Sequence, residues 1–470
     1  MGRSAPNLLV VSDLHLGGPL RPPFGFRALR QVARLDRELS RFLAYWSAHP
    51  LPGDDGRPAP WTLVLNGDTI DFLHMDLRPE GEEAAPDEDE DLHGLALSAE
   101  RSRWKLDQIA RFHRRSLRAL ARFVDGGNKL VFVVGNHDAD LFFRTVRDGL
   151  VQHIAAHSKA PEAVAAKVSF SPWFYYEEGR AYIEHGHRFD PYATFPDPLI
   201  PVDPAAPSRL APNFGHWGLR YFCNRVRTFP VHDVDTWGVG DFLRWGARMM
   251  GWPLLRAAWQ SVVFLARYLI DALRDGVARR RLMRAEKLRR RERLARFARK
   301  FGMPLARILA LDNLRLPHVG ASVLRYMQAL YLDRVALVGA FVTATVAAFA
   351  LLSPSTAAFA TMGLLGVAWL GWRALADARP VQDVHPLLGS LARRIAWLTG
   401  ARVVVFGHTH RPVLRRLGRA HFLNPGSWEH LPRQRMHARG EPCDCDARFG
   451  VITGSQDATR PRLMRWCARD

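Results

Sequence analysis

Short hydrophobic runs that end in polar residues recur along the two outer parts of the chain. Asn7 to Ser12 reads NLLVVS and leads into Asp13-Leu14-His15, and four later runs end in the same manner. Short apolar runs separated by amphipathic helical stretches are typical of α/β proteins, in which ligands collect at the carboxyl ends of strands. The pattern therefore predicts an α/β fold. The other runs are Trp61 to Leu65 before Asn66-Gly67-Asp68-Thr69-Ile70-Asp71, Lys129 to Val134 before Gly135-Asn136-His137-Asp138, Ala181 to Glu184 before His185-Gly186-His187, and Arg402 to Phe406 before Gly407-His408-Thr409-His410.

Two long apolar runs in the middle of the chain contrast with these short ones. Val335 to Leu352 and Ala357 to Trp372 contain no charged residue, and the Ser353 to Thr356 segment, Ser-Pro-Ser-Thr, separates them. At 1.5 Å per residue each run spans roughly 25 Å, near the lower limit for crossing a hydrocarbon core. We predict a helical hairpin in the membrane, and a hairpin buried in a soluble core is the alternative. Arg334 and Arg373 flank the hairpin, which predicts that both ends lie in the cytoplasm.

Positive charge is concentrated just before the hairpin. The chain carries 66 Lys and Arg against 46 Asp and Glu, a formal net charge of +20, which favours anionic partners. Arg279 to Lys300 is predicted to form a basic amphipathic helix. Phe242 to Leu273 is rich in Trp, Leu and Arg, a composition typical of a helix at a membrane interface. Contact with anionic lipids is therefore expected, and nucleic-acid binding or a solvated basic surface are the alternatives.

The amino-acid composition narrows the class of protein to which the chain can belong. With 470 residues, 48% of them hydrophobic, the chain is long enough for several domains and is not wholly disordered. Four cysteines are too few for a disulfide scaffold and fit a reducing compartment. The first residues do not read as a signal peptide. Glu80 to Asp91 is acidic and is predicted to be an exposed loop without fixed structure.

A proline-rich stretch, Pro196 to Asn213, indicates a boundary within the chain. We predict a core made of residues 1–195 and 384–470. Residues 196–383 would form an inserted basic helical region that contains the apolar hairpin 335–372.

The polar strand ends together offer carboxylate oxygens, an amide oxygen and several imidazoles. This mixture suits two divalent ions, Mn²⁺ first and Fe²⁺ or Zn²⁺ as alternatives. No thiolate lies among these residues, which disfavours a structural zinc site. Each motif alone is weak, because a single Asp-x-His is more often a solvated loop end. The occurrence of all five in one chain predicts a metal site.

The order D-x-H, G-D-x-x-D, G-N-H-D, H-G-H and G-H-T-H resembles that of the calcineurin-like metallophosphoesterases, across both outer parts of the chain. The resemblance implies a four-layer αββα sandwich, here with a helical, membrane-associated insertion. His187 is an alternative to His185, although the family pattern places the ligand first in H-G-H. The implied ligands are Asp13, His15 and His410 for one metal, Asn136, His185 and His408 for the other, and Asp68 as the bridge.

The same resemblance implies a mechanism and two further residues. In that mechanism two metals about 3.5–4 Å apart would clamp the phosphoryl group and would lower the pKa of a water that attacks phosphorus. His137 protonates the leaving oxygen or stabilises the charge that builds up on the phosphate, and Asp71 holds the His137 ring. Loop capping is the alternative for Asp71 and Asp138.

Three segments, SDLHLGG, FGHTHRP and FLNPGSW, resemble the UDP-2,3-diacylglucosamine diphosphatases, which act at the inner membrane. Those enzymes typically have arginine where His137 stands, H-G-D in place of H-G-H, and a shorter insert without a hairpin. We therefore expect a membrane-associated two-metal phosphoesterase acting on a lipid-linked or membrane-proximal phosphate ester or diphosphate. It would lie at the inner, cytoplasmic membrane with its catalytic part in the cytoplasm. A nuclease or nucleotide phosphodiesterase is the alternative enzyme, and a non-catalytic membrane scaffold is a third interpretation.

Overall fold

Two β-sheets form the centre of the protein. The computed structural model describes residues 6–21, 25–53, 55–81, 85–224, 288–329, 331–377, 383–429, 447–455 and 458–467, with residue 381 and scattered positions from 226 to 270. In chain order the strands are β1 (Asn7–Val11), β2 (Trp61–Asn66), β3 (Lys129–Val133), β4 (Val168–Ser171), β5 (Phe174–Glu177), β6 (Ala181–Glu184), β7 (Val403–Val405), β8 (Val413–Leu417), β9 (Ala420–Asn424), β10 (Arg448–Thr453) and β11 (Arg460–Arg465).

Both sheets are mixed, and parallel strands lie in the middle of each. The first sheet has the order β11-β10-β1-β2-β3-β4. Strands β1 to β4 are parallel, β10 is antiparallel to β1, and β11 is antiparallel to β10. The second has the order β5-β6-β7-β9-β8, in which β6, β7 and β9 are parallel. Val10 pairs with Val64, and Val64 with Val131, so β1, β2 and β3 end at the same edge.

Helices connect the strands and make up most of the described residues between β6 and β7. Residues 288–300 are also helical. An α/β fold is therefore confirmed. The named helices are α1 (Phe26–Ala48), α2 (Glu88–His93), α3 (Ala99–Phe112), α4 (Arg114–Asp125), α5 (Arg144–Ala155), α6 (Pro161–Lys167), α7 (Phe214–Gly218), α8 (Leu305–Asp312), α9 (Val323–Ala329), α10 (Leu332–Leu351), α11 (Pro354–Asp377) and α12 (His385–Thr399).

The two sheets pack face to face, with helices on their outer faces. Successive side chains of a strand point to opposite faces, so each central strand contributes to two cores. Val10 of β1 shares one buried cluster with Ile183 of β6 and Val405 of β7, between the sheets. Leu9, its neighbour in β1, belongs instead to the cluster formed with α1, α3, α4 and α5. On the far side, α8, α12 and residues 288–300 cover the second sheet.

The helices α10 and α11 form an exposed apolar hairpin. Leu337 packs against Gly371, and the Arg334 guanidinium lies 4.1 Å from the Trp372 ring centre, so the two helices run antiparallel. Both helices are long and apolar enough to cross a membrane, and the apolar part of neither helix is buried by the described residues. Phe359, for example, is 77% exposed. The alternative of a hairpin buried in a soluble core is therefore wrong for the described residues.

The described part of the predicted basic helix, residues 288–300, contacts protein through its apolar face. Leu294 and Phe297 are buried against the second sheet. Arg290 forms ion pairs with Asp197 and Asp312. The apolar face of this helix therefore covers a sheet, as an amphipathic pattern predicts. Contact of its basic side chains with anionic lipids stays a prediction. Residues 279–287, and most of the segment from Phe242 to Leu273, lie outside the described residues.

The acidic segment from Glu80 to Asp91 is partly helical, which corrects the prediction of an unstructured loop. Residues 82–84 lie outside the described residues. Asp87 and Glu90 form a capping box that begins α2. Asp89 pairs with Arg220 and Arg267 of the insert. The acidic charge is thus compensated by the basic insert, and a short helix becomes stable.

Candidate metal centre

All nine predicted site residues come together where five strands end. The carboxyl ends of β1, β2 and β3 in the first sheet face those of β6 and β7 in the second. Most of these side chains are buried, and His410 is the most open to solvent. The nine are Asp13 and His15 after β1, Asp68 and Asp71 after β2, Asn136 and His137 after β3, His185 after β6, and His408 and His410 after β7.

Asp13, His15 and His410 form a first group that can hold a metal ion, with ligand atoms within 4.8 Å of one another. His410 Nε2 lies 3.2 Å from Asp13 Oδ1 and 3.4 Å from His15 Nε2. Asp13 Oδ1 is buried and makes no well-aligned hydrogen bond among the described residues, although His410 Nε2 lies near it. Since a buried charged oxygen needs compensation, a cation between Asp13 and His410 would supply it.

Asp68, His185 and His408 form a second such group. His185 Nε2 is 3.2 Å from Asp68 Oδ2, yet this nitrogen makes no hydrogen bond within the described chain. Asp68 Oδ2 is also 3.9 Å from His15 Nε2, so Asp68 lies between the two groups. His187, the alternative to His185, belongs to neither group.

Asn136 is placed beside the second group by its neighbours. The His137 backbone N–H donates to Asp68 Oδ1 at 2.9 Å. A Cβ atom on Gly135 would lie only 2.2 Å from the same oxygen, so this position requires glycine. Asn136 Oδ1 is buried and has no partner in the described part of the protein. It therefore offers a further neutral oxygen ligand.

In three of the four candidate histidine ligands, one ring nitrogen lies within hydrogen-bond distance of an acceptor oxygen. His15 Nδ1 is 2.8 Å from Asp71 Oδ2, and His408 Nε2 is 2.8 Å from Asp190 Oδ2. His185 Nδ1 is 2.9 Å from the Asn66 carbonyl oxygen. A histidine that binds a metal usually donates its second ring N–H in this manner, which leaves the other nitrogen for the ion. This arrangement fits metal binding.

The backbone of the candidate ligands is strained. Six non-glycine residues in the described chain have positive φ, and five of them are candidate ligands. Left-handed conformations are uncommon for such residues and persist at functional sites where the surrounding structure imposes them. Here they turn side chains from both sheets toward one point. The five are Asp13, His15, Asp68, His408 and His410, with φ from 49° to 64°.

The carboxylates of the site are held in the charged form. Burial would raise the pKa of Asp68, but His185 and His137 outweigh it and hold that pKa well below the ordinary range. Burial lowers the pKa of His185, but Asp68 and Asp13 raise it to about 9. The carboxylates of Asp68 and Asp13 therefore favour positive charge at this position. Because a histidine must lose its proton to bind an ion, metal binding should release protons.

His137 lies beside these two groups and belongs to a third, made of His15, Asp71, His74 and His137, whose ligand atoms also lie within 4.8 Å of one another. Its Nδ1 is 3.2 Å from Asp71 Oδ1, and its Nε2 is 3.9 Å from Asp68 Oδ2. Burial lowers the pKa of His137, but Asp71 and Asp68 raise it above the ordinary value. Its side chain is 14% exposed, so it is reachable from solvent. A protonated imidazole here can donate a proton to a group bound at the metal ligands.

Asp138 caps two loops, which is the alternative role given for it in the sequence analysis. Its carboxylate accepts the backbone N–H of Thr69 at 2.8 Å and that of Gly135 at 2.6 Å. Burial and the nearby Asp68 raise the pKa of Asp138 to about 7. Asp71 does more than cap a loop, because three histidine rings contact it.

Sequence reasoning missed His74 and Asp190. His74 Nδ1 lies 2.9 Å from Asp71 Oδ2, and Asp190 holds His408. Both are buried or half-buried, and both follow a motif at a short distance, three residues after Asp71 and five after His185. That spacing was the available signal.

No family model matches this chain, and no curated protein matches it.

Proposed function

We propose that this protein is a membrane-associated two-metal phosphoesterase of the calcineurin-like type. The observation that carries the proposal is the pair of His/Asp groups that share one site, with Asp68 between them. The order of layers, with helices outside two facing sheets, supports the same family. A non-catalytic scaffold would not need strained backbone at five candidate ligands.

Divalent ions would bind to the two groups, Mn²⁺ first and Fe²⁺ or Zn²⁺ as alternatives. Bound there, they would supply Lewis-acid polarisation of a phosphoryl group and lower the pKa of water. The chain's own residues supply position and protons. Asp71 orients His15 from one oxygen and His137 from the other. His137 donates a proton to the leaving oxygen of the substrate.

The hairpin supports a substrate at the bilayer surface. Trp369 and Trp372 near the end of α11, with Arg373 and Arg334, combine aromatic and cationic groups at the end that joins the core. This composition is typical of the interface between headgroups and hydrocarbon. We propose that α10 and α11 cross the inner membrane and that the core lies in the cytoplasm, where anionic lipids attract the basic insert.

The root of the hairpin is joined to the second ligand group through a short chain of contacts. Tyr326 of α9 is fully buried and packs near Phe214, which packs on Tyr192. The backbone N–H of Val319 donates to the Pro191 carbonyl oxygen at 2.8 Å. Asp190, the next residue back, holds His408. Packed residues thus connect the start of the hairpin with the candidate metal centre, which supports a lipid-linked phosphate ester or diphosphate as substrate.

One screen tests the proposed function. Purified full-length protein in detergent is loaded with Mn²⁺ and tested on a lipid phosphate, a UDP-lipid, a soluble phosphodiester and an oligonucleotide. We expect turnover of a lipid-linked substrate above that of the oligonucleotide. Preferred, steeply salt-dependent cleavage of the oligonucleotide would favour the nuclease alternative. No turnover of any phosphate ester would contradict the proposal.

His137→Ala should keep its metals and lose turnover by about 10²–10⁴, since His137 is the proton donor and not a ligand. Esters with good leaving groups should lose less, because they need less protonation. Rates are measured over a series of leaving groups, with metal content by elemental analysis. His153→Ala, which removes a histidine paired with Asp107 at 2.6 Å outside the site, is the control. An equal loss for good and poor leaving groups would exclude the role as proton donor.

Asp190→Asn should lower the binding affinity for one of the two ions by about 10–100-fold, because His408 loses the carboxylate that orients it. The measurement is Mn²⁺ titration of metal-free protein by calorimetry. Asp197→Asn is a matched control, since Asp197 contacts Arg290 of the insert and no candidate ligand. Unchanged affinity for both ions in Asp190→Asn would show that His408 needs no support from this side.

A further inference from the structure

The carboxylate of Asp71 has four hydrogen-bond donors around it. Oδ2 lies 2.8 Å from His15 Nδ1 and 2.9 Å from His74 Nδ1. Oδ1 accepts the His74 backbone N–H at 2.7 Å and lies 3.2 Å from His137 Nδ1. A carboxylate oxygen has about two acceptor sites, so both oxygens are fully occupied. His74 contributes one donor to each oxygen.

This arrangement fixes the rotation of the Asp71 carboxylate. Asp71 is fully buried, so no bulk water replaces a lost donor. The two other donors, His15 and His137, are the groups whose orientation matters for the proposed reaction. If His74 were absent, Oδ2 would keep a single donor, and the carboxylate could rotate away from His15 or His137.

We infer that His74 is a positioning residue that sets, through Asp71, the orientation of both the ligand His15 and the proton donor His137. This inference rests on the proposed function for the role of His137. Its other half, the support of His15, concerns metal binding and can be measured without turnover. His74 belongs to neither of the two groups of implied metal ligands, but it lies with His15, Asp71 and His137 in a third group of ligand atoms within 4.8 Å of one another. Its ring centre is also 4.8 Å from that of His137. A test must therefore separate the hydrogen bond to Asp71 from this ring contact.

Two substitutions separate this role from a general structural one. His74→Ala removes the side-chain donor to Oδ2 and keeps the backbone donor to Oδ1. His74→Asn restores a side-chain N–H at about the position of the imidazole Nδ1. His153→Ala again serves as the control for loss of a histidine that pairs with an aspartate outside the site. Thermal unfolding in detergent checks that each variant is folded.

Two measurements are made on the full-length protein in detergent. The first is calorimetric titration of metal-free protein with Mn²⁺. The second is the rate with Mn²⁺ over a series of phosphate esters that differ in their leaving group. For His74→Ala we expect one ion to bind about 10-fold more weakly. Its rate should fall about 10–100-fold for poor leaving groups and less for good ones. His74→Asn should recover most of both effects.

The outcomes distinguish this inference from the proposed function. If wild-type protein hydrolyses no phosphate ester, the proposed function fails, and the titration still tests the link from His74 to His15. If His74→Ala binds both ions like wild type and keeps its leaving-group dependence, the inference is wrong. It is also wrong if a whole equivalent of metal is lost, since His74 would then be a ligand. Equal losses in His74→Ala and His74→Asn would show that the Asp71 contact is not the cause.

Discussion

Asp68→Ala is expected to lose both metals and nearly all activity. Asp68 Oδ2 lies near His185 and His15, one from each group of candidate ligands, so one substitution removes a carboxylate from both. Bound divalent ions supply several kcal/mol of transition-state stabilisation. A loss of about 4 kcal/mol corresponds to a rate decrease of about 10³-fold, which is the least effect we expect. Elemental analysis and phosphate-ester turnover measure the two quantities.

A second buried aspartate provides the control for this substitution. Asp140 is as buried as Asp68, hydrogen-bonds Ser102, and belongs to neither group of candidate ligands. Asp140→Asn should keep both metals and most activity. Asp68→Asn, which preserves the shape of the side chain, should resemble Asp68→Ala because the bridging charge is lost. Two full equivalents of metal in either Asp68 variant would contradict the assignment of Asp68 as the bridge.

Deletion of the hairpin, residues 335–372, should release the protein from membranes. The ends of the deleted segment are close, since Arg334 lies 4.1 Å from the Trp372 ring centre, so a short Gly-Ser linker can join them. The candidate ligands all lie outside the deletion. Activity on a soluble phosphate ester should therefore stay within about 10-fold, while activity on a lipid-linked substrate should fall by about 10²-fold or more, because the enzyme and substrate are separated. Fractionation and both assays are performed on the same preparation.

The topology of the hairpin is tested in the intact protein. A cysteine introduced into the Ser353 to Thr356 turn should react with a membrane-impermeant thiol reagent added on the side of the membrane opposite the cytoplasm. The same cysteine placed in the exposed strand β8, within the core, should be protected in sealed cells. If the turn reacts only after the membrane is opened, or the intact protein is soluble without detergent, the membrane-spanning arrangement is wrong.

The strand ends could be predicted because local sequence determines them. A buried parallel strand reads as a short apolar run, and the polar residues after it lie at the edge where ligands bind. The assignment of these residues as metal ligands rests on the family resemblance and stays a prediction. The positions of Asp13, Asp68 and His408 at strand ends followed from the pattern. The neighbours that hold them did not, because a contact such as that of Asp190 with His408 depends on how the chain turns after β6.

Amphipathic patterns were less informative, because an apolar face does not reveal what covers it. Leu294 and Phe297 predicted an amphipathic helix correctly, but the pattern did not show that the second sheet covers their face. The acidic run around Asp89 was misread for a similar reason, since the compensating arginines lie more than 100 positions away in the chain. For α10 and α11, which are apolar on every side, the sequence left the same choice between lipid and a protein core, and only their exposure in the structure excludes burial by the described residues.

The position of the insert also sets the order in which the site is completed during synthesis. β6 and β7 are neighbouring parallel strands, yet about 200 residues separate them, and the hairpin lies within that interval. At about 5–20 residues per second, a ribosome needs roughly 10–40 s to make the intervening chain. His408 and His410 therefore leave the ribosome only after both apolar helices have been made. The nascent chain lacks two of the candidate ligands until translation has passed the hairpin, so the proposed metal centre forms only after both apolar helices have been made.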